Sequence, residues 1–150
     1  MATITPTLTI TANAAGAAST PGPSSSAISV SVTDALTVDV MKSETVTPST
    51  TVGLLFDGSA QDAGSEVAGL NGGFLYMKNT SPSEHDVYIG IEADGVTPTE
   101  LQGNADAQRL FTLKQNEFAF FPFDYTMDIT VDAEDATATL EYMLFNRSNS

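Results

Sequence analysis

Cysteine and tryptophan are absent from this 150-residue chain, and basic residues are scarce. Without cysteine the chain can form neither a disulfide framework nor a thiolate metal site. Five Lys and Arg residues against nineteen Asp and Glu residues give a formal net charge of −14. Such a field repels phosphate backbones and anionic lipid headgroups. We therefore predict that the protein binds neither nucleic acid nor a membrane surface.

Long apolar runs are missing as well. The first residues contain no basic segment followed by an apolar stretch, and nowhere does an apolar run reach the length that a membrane-spanning helix needs. We expect no signal peptide and no transmembrane helix. The length and the apolar fraction of 41% nevertheless suffice for one folded domain with one core.

Helical periodicity is scarce, whereas alternation of apolar and polar residues is frequent. Ten segments alternate in this way or are rich in β-branched and aromatic residues: 2–12, 28–32, 36–40, 51–56, 74–78, 87–93, 109–114, 117–123, 127–132 and 137–146. Turn-forming residues separate most of them, and 28–32 with 36–40 predicts a β-hairpin. The pattern predicts an all-β fold, an antiparallel β-sandwich of jelly-roll type.

The N-terminal region differs from the rest of the chain. Threonines alternate there with apolar residues, including Ile4, Leu8 and Ile10. Residues 11–27 contain no large apolar side chain and have two prolines around a glycine, which is typical of a flexible linker. We predict an extended arm with an edge strand over residues 1–27 and a sandwich domain over 28–150. The strand of the arm is expected to pair with a neighbouring subunit.

The single histidine, His85, stands between Glu84 and Asp86. A histidine oriented by a carboxylate can act as general base for a serine nucleophile. Adjacent residues on a turn point in different directions, however, and the sequence has no Gly-x-Ser-x-Gly elbow. We predict a surface turn here and no catalytic residues, so the protein is not expected to be an enzyme.

Acidic residues group in several places, and hard cations such as calcium bind several carboxylate oxygens. The first candidate for a metal site is the group of Asp132, Glu134 and Asp135. No group matches the pattern of an EF-hand loop. Since nineteen acids in this chain form groups by chance, solvated surface is the favoured interpretation, and we expect no cofactor.

Aromatic residues concentrate in segment 118–125, which holds four phenylalanines and one tyrosine. Alternation places Phe118 and Phe120 on one face of a strand, and Phe121 and Phe123 on the other. Such a strand is expected to be covered on both sides, by the opposing sheet and by either a loop of the chain or a neighbouring subunit. The predicted interface residues are Ile4, Leu8, Ile10, Phe118, Phe121 and Phe123.

Four further segments carry a resemblance to a known class of proteins. They read Phe-Leu-Tyr-Met-Lys-Asn-Thr at 74–80, Val-Tyr-Ile-Gly at 87–90, Phe-Thr-Leu-Lys-Gln-Asn-Glu-Phe-Ala-Phe-Phe-Pro at 111–122, and Ala-Thr-Leu-Glu-Tyr at 138–142. Together they resemble small β-rich structural proteins of tailed bacteriophages, particularly marine and cyanobacterial phages, which have a hairpin near Leu-Lys-x-Gly-Glu. Asn116 stands where glycine is usual, and asparagine tolerates a left-handed turn better than most residues.

The resemblance implies a structural role in a virus particle, as a capsid decoration or cement protein or a minor head protein. Such a protein would bind the shell through its N-terminal arm and its sandwich surface. The alternative is a tail or fibre component, or a β-sandwich that binds carbohydrate or a receptor. The resemblance also implies assembly in the host cytoplasm, location in the virion, contact with the major capsid protein or other virion proteins, and a homo-oligomer.

Overall fold

The computed structural model describes residues 3–4, 7–10, 28–31, 36–57, 73–93, 96–103, 108–123 and 127–147. These residues form eleven β-strands, and no helix lies among them. The strands are β1 (Thr3–Ile4), β2 (Thr7–Ile10), β3 (Ile28–Ser31), β4 (Leu36–Val46), β5 (Gly53–Phe56), β6 (Gly73–Asn79), β7 (Val87–Ala93), β8 (Arg109–Leu113), β9 (Phe118–Phe123), β10 (Met127–Ala133) and β11 (Leu140–Arg147). In this part of the chain, no helix has the length and hydropathy needed to cross a bilayer.

The strands pair antiparallel in three sheets. The first sheet has the order β1-β4-β11-β6-β9, the second has the order β5-β10-β7-β8, and β2 and β3 form a separate ribbon. From β4 to β11 the chain passes from one large sheet to the other at every connection except the one between β7 and β8. Consecutive strands therefore mostly lie in different sheets instead of pairing with each other.

The two large sheets pack face to face around one hydrophobic core. Leu75 and Leu144 of the first sheet and Ile89 of the second are almost completely buried in it. The rings of Phe56 on β5 and Tyr142 on β11 meet edge to face, with centroids 4.7 Å apart, and so join the sheets. This arrangement confirms the predicted all-β fold and antiparallel β-sandwich.

The predicted hairpin of 28–32 with 36–40 is wrong. Residues Ile28–Ser31 of β3 pair with Thr7–Ile10 of β2, whereas β4 pairs with β1 and β11. Alternation specifies which side chains share a face of a strand, but it does not specify the neighbouring strand. Strand β4 also continues to Val46, well beyond the predicted end at residue 40.

The predicted N-terminal arm lies only partly within the described residues. The predicted strand over 2–12 is divided into β1 and β2, and these pair with β4 and β3 of the same chain. The predicted linker over residues 11–27 lies outside the described residues. The boundary at residue 27 and the pairing of the arm with a neighbouring subunit stay predictions.

The segment around Asn116 turns the chain from the second sheet to the first. The backbone N–H of Glu117 donates to the Lys114 carbonyl at 2.9 Å, and the N–H of Lys114 donates to Glu117 Oε2 at 2.9 Å. Asn116 has φ 65°, the left-handed conformation expected from its place in the turn. Strands β8 and β9 lie at the edges of different sheets, so the expected hairpin is a turn without a two-stranded ladder.

Candidate functional site

Strand β9 forms one edge of the first sheet and carries apolar residues on both faces. Ala119 and Phe121 pack against the core, and the Phe121 ring meets the Phe111 ring edge to face at 5.5 Å. Phe118 faces away from the core, and 57% of its surface is exposed. The opposite orientations of Phe118 and Phe121 are those that alternation in the sequence predicts.

Aromatic rings from β6 and β11 extend this outward side of the sheet. Phe74 stacks on Phe120 with 5.2 Å between the ring centroids, and Tyr76 lies 6.3 Å from Phe118. Phe120 also lies 6.3 Å from Phe145, which pairs in register with Phe74. We call these five residues the aromatic face. Its rings span three neighbouring strands of the first sheet.

The members of the aromatic face differ in exposure. Phe145 is 7% exposed, Phe74, Tyr76 and Phe120 are half-buried, and Phe118 at the sheet edge is the most exposed. Burial, and to a lesser extent the nearby Glu141 carboxylate, raises the pKa of Tyr76 above its ordinary value of 10.0. The phenol is therefore neutral at physiological pH and keeps its proton as a hydrogen-bond donor.

The edge strand carries no charged side chain from residue 118 to residue 123, although the protein has a net charge of −14. Edge strands are usually protected from pairing by charged side chains, by proline or by a covering segment. Of these devices β9 contains only Pro122, which removes one backbone donor. A partner can therefore approach this edge without burying a charge on β9.

A groove of about 510 Å³ lies beside the edge. It is lined by Phe111–Leu113 of β8 and by Asn116–Ala119 of the turn and β9. The groove lies between the edge strands of the two sheets, and its lining is mostly apolar. Phe118 lines the groove and also belongs to the aromatic face, so it connects the two surfaces.

The predicted interface residues have different positions in the structure. Phe118 is exposed at the edge, whereas Phe121 packs against the hydrophobic core. The side chains of Ile4, Leu8, Ile10 and Phe123 lie outside the described part of the structure. Their contribution to an interface stays a prediction.

The structure does not bring the three candidate metal ligands together. Asp132 is buried on the outer face of the second sheet, whereas Glu134 is exposed in the loop after β10 and accepts a hydrogen bond from the N–H of Asp86 at 3.2 Å. Asp135 lies in the same loop as Glu134. Within the described ranges, no group of three or more His, Asp or Glu residues could hold a metal ion.

Asp135 is instead the residue beside the histidine. Its Oδ1 accepts hydrogen bonds from the N–H and the hydroxyl of Thr137, at 2.8 and 2.6 Å. These bonds, and more weakly the charge of His85, lower the pKa of Asp135. His85 Nε2 lies 3.9 Å from Asp135 Oδ1, and Asp86 pairs with Lys114 at 3.8 Å. The carboxylate beside the His85 imidazole thus belongs to Asp135 in another loop and not to the sequence neighbours Glu84 and Asp86.

A further polar feature was not predicted from the sequence. Residues 96–103, which we call the strap, run from the end of β7 toward β8 across the outer face of the second sheet. Leu101 of the strap is fully buried over Gly90 of β7. A glycine inside a strand often marks a close approach of other atoms, so Gly90 is the one residue that could have indicated this contact.

No family model, curated protein or solved structure matches this chain. The candidate functional site is therefore defined by its own geometry. It consists of the aromatic face, the uncharged edge of β9 and the groove beside it. These surfaces offer aromatic rings and backbone groups to a partner.

Proposed function

We propose that this protein is a structural component of a virus particle, namely a capsid decoration or cement protein or a minor head protein. The proposed contact with the shell is made by the aromatic face and the edge of β9. The observation that carries the proposal is the exposed Phe118 ring on an uncharged edge strand of a strongly acidic protein. Aromatic residues anchor protein interfaces, and charged residues are depleted from interface centres.

The order of the strands supports the proposal. We infer a double-sheet jelly roll from the orders β1-β4-β11-β6-β9 and β5-β10-β7-β8. This architecture occurs in viral capsid proteins, and also in lectins and cupins. Because one architecture serves several functions, the argument for a virion role depends on the surface features described above.

The distribution of charge supports the same role. A net charge of −14 keeps finished particles apart and disfavours contact with packaged nucleic acid. The first charged side chain in the sequence is Asp34, so the predicted arm can approach the major capsid protein or another virion protein without charge repulsion from its own side chains. Strand addition would then supply main-chain hydrogen bonds, and many copies would be arranged as a homo-oligomer by the symmetry of the particle.

A carbohydrate- or receptor-binding module, in a tail fibre or elsewhere, is the second candidate. It is favoured by the Phe118 ring, which lines a groove and lies 6.3 Å from the Tyr76 ring, because exposed aromatic rings can stack on sugar rings. A glycan-binding protein would keep its affinity for glycans when residues 1–27 are removed, and would not require virus heads as a partner.

The proposal is tested by co-sedimentation of the protein with virus heads purified without it. We expect the full-length protein to sediment with the heads and Phe118→Ser to lose at least about tenfold in affinity, as expected for an aromatic anchor. Leu110→Ser is the matched control, since Leu110 is 47% exposed on β8, the edge strand of the other sheet. Circular dichroism establishes that each variant is folded.

Equal binding by Phe118→Ser and the unchanged protein would reject the aromatic edge as the contact. Absence of binding by the folded full-length protein would reject the proposed role in the virus head and direct the work to glycan arrays. A folded variant without residues 1–27 separates the arm from the edge, because loss of its binding with Phe118 intact identifies the arm as a second anchor.

A further inference from the structure

Side chains of the second sheet hold the strap by hydrogen bonds to the backbone of the strap. Asp132 Oδ2 accepts hydrogen bonds from the N–H groups of Leu101 and Gln102, both at 3.0 Å. Arg109 Nη2 donates to the Leu101 carbonyl at 2.8 Å, and Glu92 Oε1 accepts a longer bond from the N–H of Thr99 at 3.4 Å. Two carboxylates and one guanidinium of the sheet thus hold the strap in place.

The Leu101 side chain fits over a position that has no side chain of its own. A Cβ atom at Gly90 would lie 2.6 Å from Leu101 Cδ2, which is far shorter than a van der Waals contact. Leu101 is therefore buried because residue 90 is glycine. This apolar contact positions the strap above the polar groups of β10.

The strap shields the carboxyl group of Asp132 from water, which costs free energy when that group is ionised. Asp132 is 0% exposed, and its Oδ1 has no hydrogen-bond partner among the described residues. Glu92 and Asp128 share the same face of the sheet, pair in register and are also buried. A buried carboxylate that lacks full compensation is costly when it is ionised and much less costly when it is neutral.

Some groups around Asp132 raise the pKa of its carboxyl and others lower it. Burial raises the pKa of Asp132, the hydrogen bonds from Gln102 and Leu101 lower it, Glu100 of the strap raises it, and Arg109 lowers it. Burial is the largest of these effects, and the pKa is raised overall. Tyr88 lies opposite Asp132 on β7 and carries no charge near neutral pH, because its own pKa is raised above 10.0.

We propose that the strap is a proton-linked closure of the second sheet, held more tightly when Asp132 is protonated and lifted more often when Asp132 is ionised. Lifting the strap returns the carboxyl to water, where it ionises more readily, so closing is coupled to proton uptake. Closure therefore strengthens as the pH falls from neutral. The other charged groups on this face are the carboxylates of Glu92 and Asp128, the Glu100 carboxylate of the strap and the Arg109 guanidinium.

Native-state hydrogen exchange of the Leu101 and Gln102 amides tests this proposal. After correction for intrinsic exchange, we expect protection to be higher at pH 5 than at pH 7.5, by at most about tenfold for each unit by which closure raises the pKa of Asp132. Asp132→Asn retains an acceptor oxygen without the charge, so protection of these amides should become nearly independent of pH. Asp135→Asn, which changes a more exposed carboxylate, is the control and should keep the pH dependence of the unchanged protein.

Protection that rises with pH, or a pH dependence that persists in folded Asp132→Asn, would overturn the proposal. Glu100→Gln provides a second measurement that leaves every hydrogen bond to Asp132 in place. Removing this like charge should raise protection at pH 7.5 about twofold. Unchanged protection in Glu100→Gln, if Asp132→Asn does not fold, would equally count against a proton-linked strap.

Discussion

The outer faces of the two sheets differ in what they bury. On the first sheet an aromatic ring, Phe118, is 57% exposed at the edge. On the second sheet Asp132 and Thr130 face outward between inward-facing apolar residues, yet both are 0% exposed. The usual relation between polarity and exposure is thus inverted at both places, because an aromatic ring is exposed on the first sheet and polar groups are covered on the second.

The difference follows from where the chain places the strap. The strap supplies backbone N–H groups to the carboxylates of the second sheet, so this polar face is closed by the chain itself. The aromatic face has no strap of this kind in the described ranges, and its rings are most exposed at the edge of β9. Accessible apolar surface beside an uncharged edge strand is a typical site of association.

The largest expected effect separates the two faces of β9. Phe121→Ala removes a ring that packs against the core and Phe111, so we expect a loss of about 2 kcal/mol in the free energy of unfolding, less than for a fully buried ring. Phe118→Ala removes an exposed ring and should change stability by less than about 0.5 kcal/mol. Urea denaturation measures both. Equal losses would mean that Phe118 is buried in solution, which would remove the contrast between the faces.

The next effect tests how tightly the strap closes the second sheet. Gly90→Ala places a methyl group 2.6 Å from Leu101 Cδ2 and Thr130 Oγ1, so the strap must move, and we expect a loss of about 1.5 kcal/mol. Gly53→Ala is the control, since a Cβ at Gly53 meets no atom within 4 Å. Thermal unfolding compares the two variants. A neutral Gly90→Ala variant would show that the strap adapts easily to a larger side chain.

The strands were predictable where alternation is uninterrupted. Strand β7 has the predicted bounds, Val87–Ala93, and β10 extends one residue beyond its predicted end at 132. The partner of β3 was not predictable, because alternation in β2, β3 and β4 fits several pairings equally well. Strand partners depend on long-range packing, which a local pattern does not contain.

The candidate site was predictable to a similar extent. The opposite orientations of Phe118 and Phe121 follow from the period of two in a strand. The strap could not be predicted, because Asp132 recognises backbone N–H groups, which nearly every residue possesses. Local sequence therefore identified the aromatic strand β9, whereas its neighbours Phe74, Tyr76 and Phe145 and the closure of the polar face required the packing of distant residues.

The smallest effect concerns a single hydroxyl beneath the strap. Thr130 Oγ1 is buried and has no hydrogen-bond partner among the described residues, so Thr130→Val should raise the free energy of unfolding by about 1 kcal/mol. The control is Thr139→Val, which removes a hydroxyl 3.1 Å from Thr80 Oγ1 and should lower stability by up to about 1 kcal/mol. Urea midpoints at constant slope measure both changes. If Thr130→Val lowers stability as Thr139→Val does, the Thr130 hydroxyl is hydrogen-bonded in solution, and the strap covers a polar face whose groups are more fully paired than the geometry indicates.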